Sequence, residues 1–356
     1  MRVAVVGATG IAGQQFLAAL EGHPYIQIEK LAASPRSAGK RYVDAISTDS
    51  GQVQWYVDGD IPARLRDMVV EDAAQMELDG LDLVFSAVES DAARGLEARF
   101  AQTLPVVSTA SAYRYEDDVP IIIPAVNSAH AELVKAQHKR GWKGFVVPIP
   151  NCTTTGLAIV LAPLYRQFGV EKVVMTSMQA TSGAGRSPGV ISLDIVDNIV
   201  PYIPKEEGKV ETETRKLLGD FDGTSITAAS VPISSTCTRV PVLDAHFEAV
   251  NVALATEATL DDVKACLRAF GKDIGPDTHP SAPREWIHVT EDPFRPQPRW
   301  DRSREDGMST TVGRIRADEV IGAHGVKLCL VSHNTKMGAA KGAVLVAEDL
   351  RVRGLI

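Results

Sequence analysis

Cys152 is the residue whose surroundings most strongly suggest chemistry. It follows Pro148-Ile149-Pro150-Asn151 and precedes three threonines, and the pattern predicts that a helix begins at this point. A thiol at a helix N-terminus lies near the positive end of the helix dipole, which lowers its pKa and favours the thiolate. The position suits a nucleophile, although a lone cysteine is also often a small buried apolar residue.

A nucleophilic thiol needs an acid/base partner, and two of the eight histidines are candidates. His246 enters a predicted strand seven residues after Arg239, and His333 lies in the segment Ser-His-Asn-Thr at 332–335. The two-residue period of a strand does not bring Arg239 and His246 to one face unless the chain bends between them. The local pattern therefore leaves both histidines open.

The other three cysteines are Cys237, Cys266 and Cys329, and no two of the four cysteines form a C-x-x-C pair. Their wide spacing fits neither a disulfide framework nor a zinc site. We therefore expect free thiols, a reducing compartment and no bound metal.

Glycines at positions 7, 10 and 13 follow an all-apolar run at 3–6 and precede a helical pattern at 14–20. A G-x-x-G-x-x-G loop between a strand and a helix lets the backbone turn sharply and approach a pyrophosphate at the helix N-terminus. The spacing predicts a dinucleotide site. It differs from the commoner G-x-G-x-x-G, so a tight turn without a ligand is the alternative.

The segment after the second predicted strand, 26–33, distinguishes the two nicotinamide cofactors. An NAD site usually has an acidic residue there to bind the ribose 2′-hydroxyl. This chain has Ser34, Arg36, Ser37 and Lys40 in that segment and no acidic residue. The set suits a 2′-phosphate, so we expect NADP rather than NAD, and a solvated basic loop is the alternative.

Alternating strands and helices through residues 1–150 predict a doubly wound, Rossmann-like parallel sheet, so the fold class is α/β. A second, α+β domain is expected over 151–331, and a C-terminal helix is expected to return to the first domain and complete it with residues 332–356. The predicted strands are 3–6, 26–33, 83–87, 105–108, 145–147, 170–181, one around 240, and 247–255. The predicted helices are 14–20, 92–101, 128–140, 152–167, 193–200, 205–218, 260–270 and 338–350.

Composition excludes several classes of protein. The 356 residues carry a net charge of −8 without a basic stripe, which disfavours binding to nucleic acid. No apolar run approaches the roughly 20 residues that a membrane-spanning helix needs, and the N-terminal apolar stretch is too short for a signal peptide. We therefore expect a cytoplasmic protein with no membrane partner.

Short motifs spread along the whole chain resemble those of the aspartate-semialdehyde dehydrogenase family, in its archaeal and fungal branch. They are GATG at 7–10 with Gly13, Asn151-Cys152, QATSGAG at 179–185, DNIVPYI at 197–203, EEGK at 206–209, RVPV at 239–242 with His246, RPQPR at 295–299, VGRIR at 312–316, and HNT at 333–335 followed by GAA at 338–340.

The resemblance implies a reaction and a role for each catalytic residue. NADPH would reduce L-aspartyl 4-phosphate to L-aspartate 4-semialdehyde with release of phosphate, a step of amino-acid biosynthesis that proceeds through a thioester on Cys152. His246 would be the acid/base, and Gln179 would orient the acyl group. The family also implies a homodimer formed through the second, catalytic and dimerisation domain, or a homotetramer.

The carboxylate, ammonium and phosphate of this substrate require charged partners. The E-x-x-K spacing places Glu206 and Lys209 on one helical face, where without the resemblance they would be read as a solvated charged surface. The implied substrate-binding residues are Arg239 for the carboxylate, Glu206 for the ammonium with Glu207 as the alternative, Lys209 and Arg114 for the phosphate, and Asn151. The predicted cofactor-binding residues are Gly7, Thr9, Gly10, Ile11, Ala12, Gly13, Ser34, Arg36, Ser37, Ser86, Ser182, Gly183 and Asn334.

The chain departs from the family pattern at several positions. The loop after Ser182 is one residue longer and has Arg186 where an aromatic residue is common, Ala245 replaces a usual glycine, and Lys336-Met337 replace the usual pair before Gly338. Because Arg186 could contact a second anion, an acyl-CoA reductase resembling malonyl-CoA reductase, or another acyl-phosphate reductase, is the alternative. A catalytically silent NADP-binding sensor is a third hypothesis. The joint presence of Cys152, Gln179, Arg239 and His246 disfavours it.

Overall fold

The computed structural model of the chain describes residues 1–184 and 192–356. Within them, strands form two six-stranded sheets and one short hairpin. The strands are β1 (Arg2–Val6), β2 (Gln27–Ala33), β3 (Val70–Asp72), β4 (Leu83–Ser86), β5 (Val106–Ser108), β6 (Val146–Pro148), β7 (Val170–Gln179), β8 (Asp220–Phe221), β9 (Ile226–Thr227), β10 (Ile233–Arg239), β11 (His246–Leu254), β12 (Ile287–Val289), β13 (Thr310–Ala317) and β14 (Gly325–Ser332).

Helices cover both faces of the first sheet and one face of the second. The α-helices are α1 (Ile11–Ala19), α2 (Tyr42–Ala45), α3 (Ala63–Arg66), α4 (Ser90–Ala101), α5 (Pro124–Asn127), α6 (Cys152–Phe168), α7 (Ser192–Ile195), α8 (Glu206–Leu217), α9 (Leu260–Ala269), α10 (Pro298–Asp301) and α11 (Ala340–Val352). Three further segments are 3₁₀ helices, Ser128–Arg140, Thr181–Ala184 and Arg304–Gly307.

The first sheet has the strand order β3-β2-β1-β4-β5-β6, and all of its strand pairs are parallel. Its central strands are almost wholly apolar because helices cover both faces, as in other parallel sheets. This arrangement confirms the doubly wound, Rossmann-like prediction. The order reverses between β1 and β4, and a crevice opens there at the carboxyl ends of the strands.

The C-terminal helix packs on the first domain, as predicted. Helix α11 contacts α1, and its buried residues Val344, Ala347 and Leu350 share one apolar core with Phe16 and Leu17. The chain therefore leaves the first sheet after β6, builds the second sheet, and returns to the first with its last helix.

The second sheet is mixed, with the order β10-β7-β11-β14-β13-β12. One face packs against α6, α8 and α9, and α6 is buried along nearly its whole length. On the opposite face, Val174 is exposed, and Met178 and Phe247 are only partly buried. The sheet therefore presents a partly apolar face that no helix of the described residues covers in the way α6 covers the other.

Several predicted boundaries were wrong. Residues 128–140 form 3₁₀ turns and not an α-helix, a distinction that apolar periodicity does not make. The strand expected around residue 240 spans Ile233–Arg239. Its start was missed because the polar residues Ser234, Ser235 and Thr236 give no apolar signal. Helix α7 covers only part of the predicted 193–200. Strands β3, β8, β9, β12, β13 and β14 were not predicted.

Candidate active site

A cleft of about 1210 Å³ runs along the carboxyl ends of the first sheet's strands and continues to the N-terminus of α6. Its walls come from the turns after β1, β2, β4, β5 and β6, and from residues 182–184, Lys209 and the segment 334–339. A cofactor and a substrate can therefore lie end to end in one continuous space. Of the predicted site residues, those lining it are Thr9, Gly10, Ile11, Ala12, Arg36, Ser37, Arg114, Asn151, Cys152, Ser182, Gly183, Lys209 and Asn334.

Cys152 is the first residue of α6, as the sequence predicts. Asn151 caps the helix, because its side-chain oxygen accepts hydrogen bonds from the backbone N–H groups of Thr153 and Thr154 at 2.9 and 3.3 Å. The sulfur of Cys152 lies 3.1 Å from Nε2 of His246. The structure thus brings together a thiol and an imidazole that are 94 residues apart in the chain.

Arg239 and His246 converge because the chain bends between β10 and β11. Ala245 has φ of 74°, a left-handed conformation that explains why glycine is usual at this position. A Cβ atom on Gly183 would lie 3.1 Å from Nη1 of Arg239 and 3.2 Å from Cε1 of His246. Both side chains therefore lie against Gly183, and only a small residue fits between them.

Ala180 orients both of these side chains through its main chain. Its N–H donates to Nδ1 of His246 at 3.1 Å, and its carbonyl accepts Nη1 of Arg239 at 2.7 Å. Ala180 directly follows Gln179 and is fully buried. The residue that follows β7 therefore fixes the positions of the imidazole and the guanidinium relative to each other.

The expected low pKa of the thiol was wrong. Burial and the negative charge of Glu206 raise the pKa of Cys152 to about 12, and burial with the positive charge of Arg239 lowers the pKa of His246 to about 3. Desolvation of a buried group shifts a pKa by up to 3–5 units, whereas a helix dipole contributes roughly 0.3–1 kcal/mol, so burial decides the sign. Burial therefore disfavours the charged form of both groups.

Glu206 is buried beside the nucleophile. Its carboxylate accepts the side-chain amide of Asn151 at 2.8 Å and the ammonium of Lys209 at 3.2 Å. The E-x-x-K prediction of a shared helical face is confirmed by this ion pair. Glu207, the alternative, turns the other way and accepts the backbone N–H of Cys237 at 3.1 Å.

The sequence analysis missed Glu213, which holds several parts of the site together. This fully buried carboxylate accepts Nη1 of Arg114 at 3.1 Å, the hydroxyl of Tyr115 at 3.0 Å and the backbone N–H of Asn151 at 2.6 Å. Arg114 retains a buried Nε with no hydrogen-bond partner among the described residues. The only available sequence signal was that Glu213 lies seven residues, or two helical turns, after Glu206 on α8.

Neither His333, the alternative histidine, nor Gln179, the residue predicted to orient the acyl group, lines the cleft. His333 is buried, its Nδ1 is 3.4 Å from the hydroxyl of Thr335, and its ring packs against Gly307. Gln179 is also buried, and its amide donates to the hydroxyl of Ser177 at 3.2 Å. His246, and not His333, is therefore the imidazole that contacts Cys152, while the amide of Gln179 is bonded to Ser177 on the same strand.

The glycine loop forms a cradle that suits a pyrophosphate. Gly7 has φ of 81°, and a Cβ atom on Gly13 would lie 2.1 Å from the carbonyl oxygen of Gly7. Gly10 precedes α1 and supplies no side-chain cap, so the first N–H groups of the helix face the cleft without a side-chain partner among the described residues. These features fit a dinucleotide with its phosphates at the start of α1.

The basic segment after β2 lines the other end of the cleft. Arg36, Ser37 and Lys40 line it, but Ser34 does not and is exposed. The carbonyl of Ser34 instead accepts the N–H of Ser37 at 2.9 Å, so Ser34 forms the turn that presents Arg36. Ser34 is exposed beside Arg36, and direct contact of this side chain with the cofactor stays a prediction.

Ser86 was also wrongly expected to contact the cofactor. It is fully buried, and its hydroxyl donates to Glu97 at 2.7 Å, beside a second bond to Glu97 from Ser108. Asn334 does face the cleft, where its amide donates to the hydroxyl of Ser182 at 2.9 Å. The polar groups at the ends of β4 and β5 thus support the cleft floor from below.

The departures from the family motifs fall into two groups. Arg186 and the rest of 185–191 lie outside the described residues. Lys336 pairs with Asp306 at 2.7 Å, whereas a Cβ atom on Gly338 would lie 2.9 Å from Cβ of Cys152. Gly338 therefore packs against the nucleophile, whereas Lys336 forms an ion pair with Asp306.

Among the described residues, no group of three or more His, Cys, Asp or Glu side chains could hold a metal ion.

Two family models match the chain. Residues 2–134 match the semialdehyde dehydrogenase NAD binding domain, and residues 161–337 match the semialdehyde dehydrogenase dimerisation domain. The chain is also 43% identical over 352 residues to an aspartate-semialdehyde dehydrogenase of Methanothermobacter thermautotrophicus, covering 98% of each chain. It is 41% identical to that of Candida albicans, covering 100% of this chain and 99% of the other.

Solved structures give the same picture. The crystal structure of Candida albicans aspartate-semialdehyde dehydrogenase with NADP is 39% identical, superimposes with a TM-score of 0.86, and covers 100% of this chain and 99% of its own. A Vibrio cholerae structure, 24% identical with a TM-score of 0.78 over 100% and 99% of the two chains, shows the shared fold.

Proposed function

This chain belongs to the aspartate-semialdehyde dehydrogenase family, and from that premise we propose how its own residues carry out the reaction. The substrate is L-aspartyl 4-phosphate, which is reduced by NADPH to L-aspartate 4-semialdehyde with release of phosphate. The observation that supports this most directly is the contact of 3.1 Å between Sγ of Cys152 and Nε2 of His246 at the foot of the cleft. Relatives of at least 40% identity over nearly the whole chain carry the same activity in their names.

Cys152 is the proposed nucleophile. Its sulfur forms a bond to the acyl carbon, the carbon–oxygen bond to phosphate breaks, and a thioester remains on the enzyme. The start of α6 holds the sulfur in place, since Asn151 caps the helix and Gly338 packs against the cysteine from the opposite side. His246 manages the protons of the sulfur and of the oxygen that later becomes the aldehyde.

Three charged side chains match the three charges of the substrate. Arg239 is proposed to bind the α-carboxylate, because a planar guanidinium forms paired hydrogen bonds with a carboxylate. Glu206 is proposed to bind the ammonium, and Lys209 binds the phosphate. A buried carboxylate beside the nucleophile supports an amino-acid substrate, because malonyl and succinyl derivatives offer it no cation.

Arg114 is proposed to assist Lys209 at the phosphate. Its buried Nε has no hydrogen-bond partner in the part of the chain that the structure describes, and the residue lines the cleft next to the turn after β5. Gln179 is the proposed contact of the acyl group, although it must turn its amide away from Ser177 to serve in that role.

The cleft fits NADP, and NADPH when bound supplies the hydride that reduces the thioester. The glycine loop would hold the pyrophosphate at the start of α1, and Arg36, Ser37 and Lys40 would hold the 2′-phosphate of the adenosine half. Ser182, Gly183 and Asn334 line the end of the cleft beside Cys152 and would meet the nicotinamide half.

The matched dimerisation domain indicates a homo-oligomer. We propose that the open face of the second sheet, which carries Val174, Met178 and Phe247, forms a dimer interface, and that dimers can pair into tetramers.

The two proposed domains are residues 1–150, completed by residues 332–356, and residues 151–331. A cytoplasmic location is proposed as well, supported by four cysteines that are all free thiols. No helix among the described residues is long and apolar enough to cross a bilayer.

The test is the reverse reaction. Purified protein is mixed with L-aspartate 4-semialdehyde, phosphate and NADP⁺, and NADPH absorbance is followed, with Cys152→Ser as the control. Phosphate-dependent NADPH formation is expected. No turnover in this assay, together with NADPH-dependent reduction of malonyl-CoA or another acyl-CoA, would replace the amino-acid substrate with an acyl-CoA.

A further inference from the structure

Two buried side chains hold the carbonyl groups of the glycine loop. The hydroxyl of Tyr42 donates to the carbonyl of Ala8 at 3.0 Å, and Nε2 of Gln14 donates to the carbonyl of Thr9 at 3.4 Å. Tyr42 is fully buried and Gln14 is 1% exposed, and neither residue lines the cleft. Burial raises the pKa of Tyr42, so its hydroxyl retains its proton and remains a donor.

A carbonyl group that is held in this way also fixes the N–H group that follows it. Because a trans peptide is planar, the C=O of one residue and the N–H of the next point in opposite directions. The bond from Tyr42 to Ala8 therefore turns the N–H of Thr9 away from the core. The N–H of Gly10 donates to the carbonyl of Gly7 at 3.0 Å, whereas no group among the described residues accepts the N–H of Thr9.

We propose that Tyr42 is a positioning residue for the cofactor, whose hydroxyl orients the peptide between Ala8 and Thr9 so that the Thr9 N–H donates to the pyrophosphate of NADP. This inference rests on the proposed orientation of the cofactor, with its phosphates at the glycine loop. Thr9 itself lines the cleft. Tyr42 touches neither cofactor nor substrate in this scheme, and it acts only through the loop.

Gln14 supports the next peptide of the loop and connects it to the adjacent wall of the cleft. Besides its bond to Thr9, its Nε2 donates to the carbonyl of Gln54 at 2.8 Å, and its Oε1 accepts the N–H of Tyr56 at 2.8 Å. Gln54 and Tyr56 both line the cleft. One buried amide therefore sets the position of this wall relative to the glycine loop.

The main chain around Tyr42 is itself fixed beside β3. The N–H of Tyr42 donates to the carbonyl of Met68 at 2.8 Å, and the carbonyl of Lys40 accepts the N–H of Val70 at 2.9 Å. Lys40 lines the cleft with Arg36 at the proposed 2′-phosphate site. Tyr42 follows this basic segment by two residues and reaches the glycine loop with its hydroxyl, so it connects the two proposed phosphate sites.

Tyr42→Phe tests the proposal, because it removes the hydroxyl and keeps the ring that packs in the core. We expect the Kd of NADP⁺, measured by isothermal titration calorimetry without substrate, to rise about 3- to 10-fold, the scale of one hydrogen bond between neutral groups. The KM for NADPH should rise by the same factor. The kcat at saturating NADPH should stay unchanged, since Tyr42 does not contact the reacting atoms.

A second ligand and a matched variant separate positioning from general damage to the fold. Adenosine 2′-monophosphate carries the adenine and the 2′-phosphate but no pyrophosphate, so its Kd should be equal in Tyr42→Phe and in the unmodified protein. Tyr113→Phe removes another buried hydroxyl, which donates to the carbonyl of Arg94 at 2.8 Å, and should leave the Kd of NADP⁺ unchanged. An unchanged Kd of NADP⁺ in Tyr42→Phe, or equal weakening of both ligands, would overturn the proposal.

Gln14→Met gives an independent test at the neighbouring peptide, because it keeps the length of the side chain without its hydrogen-bonding groups. It should weaken NADP⁺ binding at least as much as Tyr42→Phe, since the Thr9 carbonyl and the wall at 54–56 both lose their support. Unchanged NADP⁺ affinity in Gln14→Met would show that the loop needs no side-chain support, and would overturn the proposal.

Cofactor binding is measured apart from turnover, so the two proposals can fail separately. Absent turnover of aspartate semialdehyde with the expected changes in NADP⁺ affinity would reject only the proposed substrate. Normal turnover with an unchanged affinity in Tyr42→Phe would reject only the positioning role of Tyr42.

Discussion

The carboxylate of Glu213 accepts the main-chain N–H of Asn151 at 2.6 Å, immediately before the proposed nucleophile. The same side chain accepts Arg114, so one buried group connects the start of α6 with the turn after β5. Glu213 lies on α8, four residues after Lys209. The position of the sulfur relative to the proposed phosphate site therefore depends on a residue that touches neither substrate nor cofactor.

Glu213→Gln should lower kcat by about 10- to 100-fold, because a hydrogen bond to a charged group contributes about 1.5–3 kcal/mol. The amide keeps the size of the carboxylate, but its NH2 group must face either the N–H of Asn151 or the donors of Arg114 and Tyr115. NADP affinity, measured by titration, should stay unchanged. Glu211→Gln on the same helix is the matched control and should remain active. A fully active Glu213→Gln variant would show that Asn151 does not need this anchor.

Cys152→Ser should abolish turnover and leave NADP binding intact. A serine hydroxyl has the geometry of the thiol but is a far weaker nucleophile at neutral pH. Steady-state assays and cofactor titration check the two parts. Cys329→Ser, on a strand away from the cleft, controls for loss of a thiol as such. Substantial residual activity in Cys152→Ser would remove this residue as the nucleophile.

His246→Ala should lower kcat by about 10²- to 10⁴-fold, the range seen when a group that manages protons in the transition state is lost. His333→Ala is the matched comparison, since His333 is buried nearby but does not contact the sulfur. A larger loss in His333→Ala than in His246→Ala would mean that the wrong histidine has been assigned.

NADPH should be preferred over NADH, and Arg36→Asp should reduce that preference by about 10- to 100-fold in kcat/KM, because one charge-assisted contact to the 2′-phosphate is lost. Arg66→Asp, which changes an exposed arginine outside the cleft lining, controls for the change in net charge. Equal kcat/KM values for the two cofactors in the unmodified enzyme would contradict the proposed 2′-phosphate site.

Glu206→Gln should lower kcat/KM for aspartate semialdehyde by tens-fold or more, yet barely affect an analogue without the amine. Glu207→Gln on the adjacent position is the matched control, because its carboxylate faces β10. Arg239→Lys should impair both substrates, since lysine cannot form the paired contact with a carboxylate. Equal losses for both substrates in Glu206→Gln would argue that Glu206 only supports Asn151 and Lys209.

Local features of the site could be predicted from the sequence because neighbouring residues determine them. The glycine loop, the helix that begins at Cys152, the shared face of Glu206 and Lys209, and the absence of an acid after β2 all depend on residues a few positions apart. The apolar runs of the first sheet were equally informative, since buried parallel strands must be apolar on both faces. These signals, with the motifs spread along the chain, determined the fold class, the family and the cofactor type.

The tertiary structure decided what depends on distant contacts. It brought His246 to Cys152 through a bend at Ala245, and it turned Ser86 towards Glu97. Sequence position suggested a thiolate because the helix dipole acts locally. The sign of the pKa shift instead follows from what removes water around the sulfur, which only the packed molecule specifies. Glu213 and the Ala180 N–H had no informative local pattern, because a buried carboxylate and a backbone amide acquire their roles only from the groups that the fold places against them.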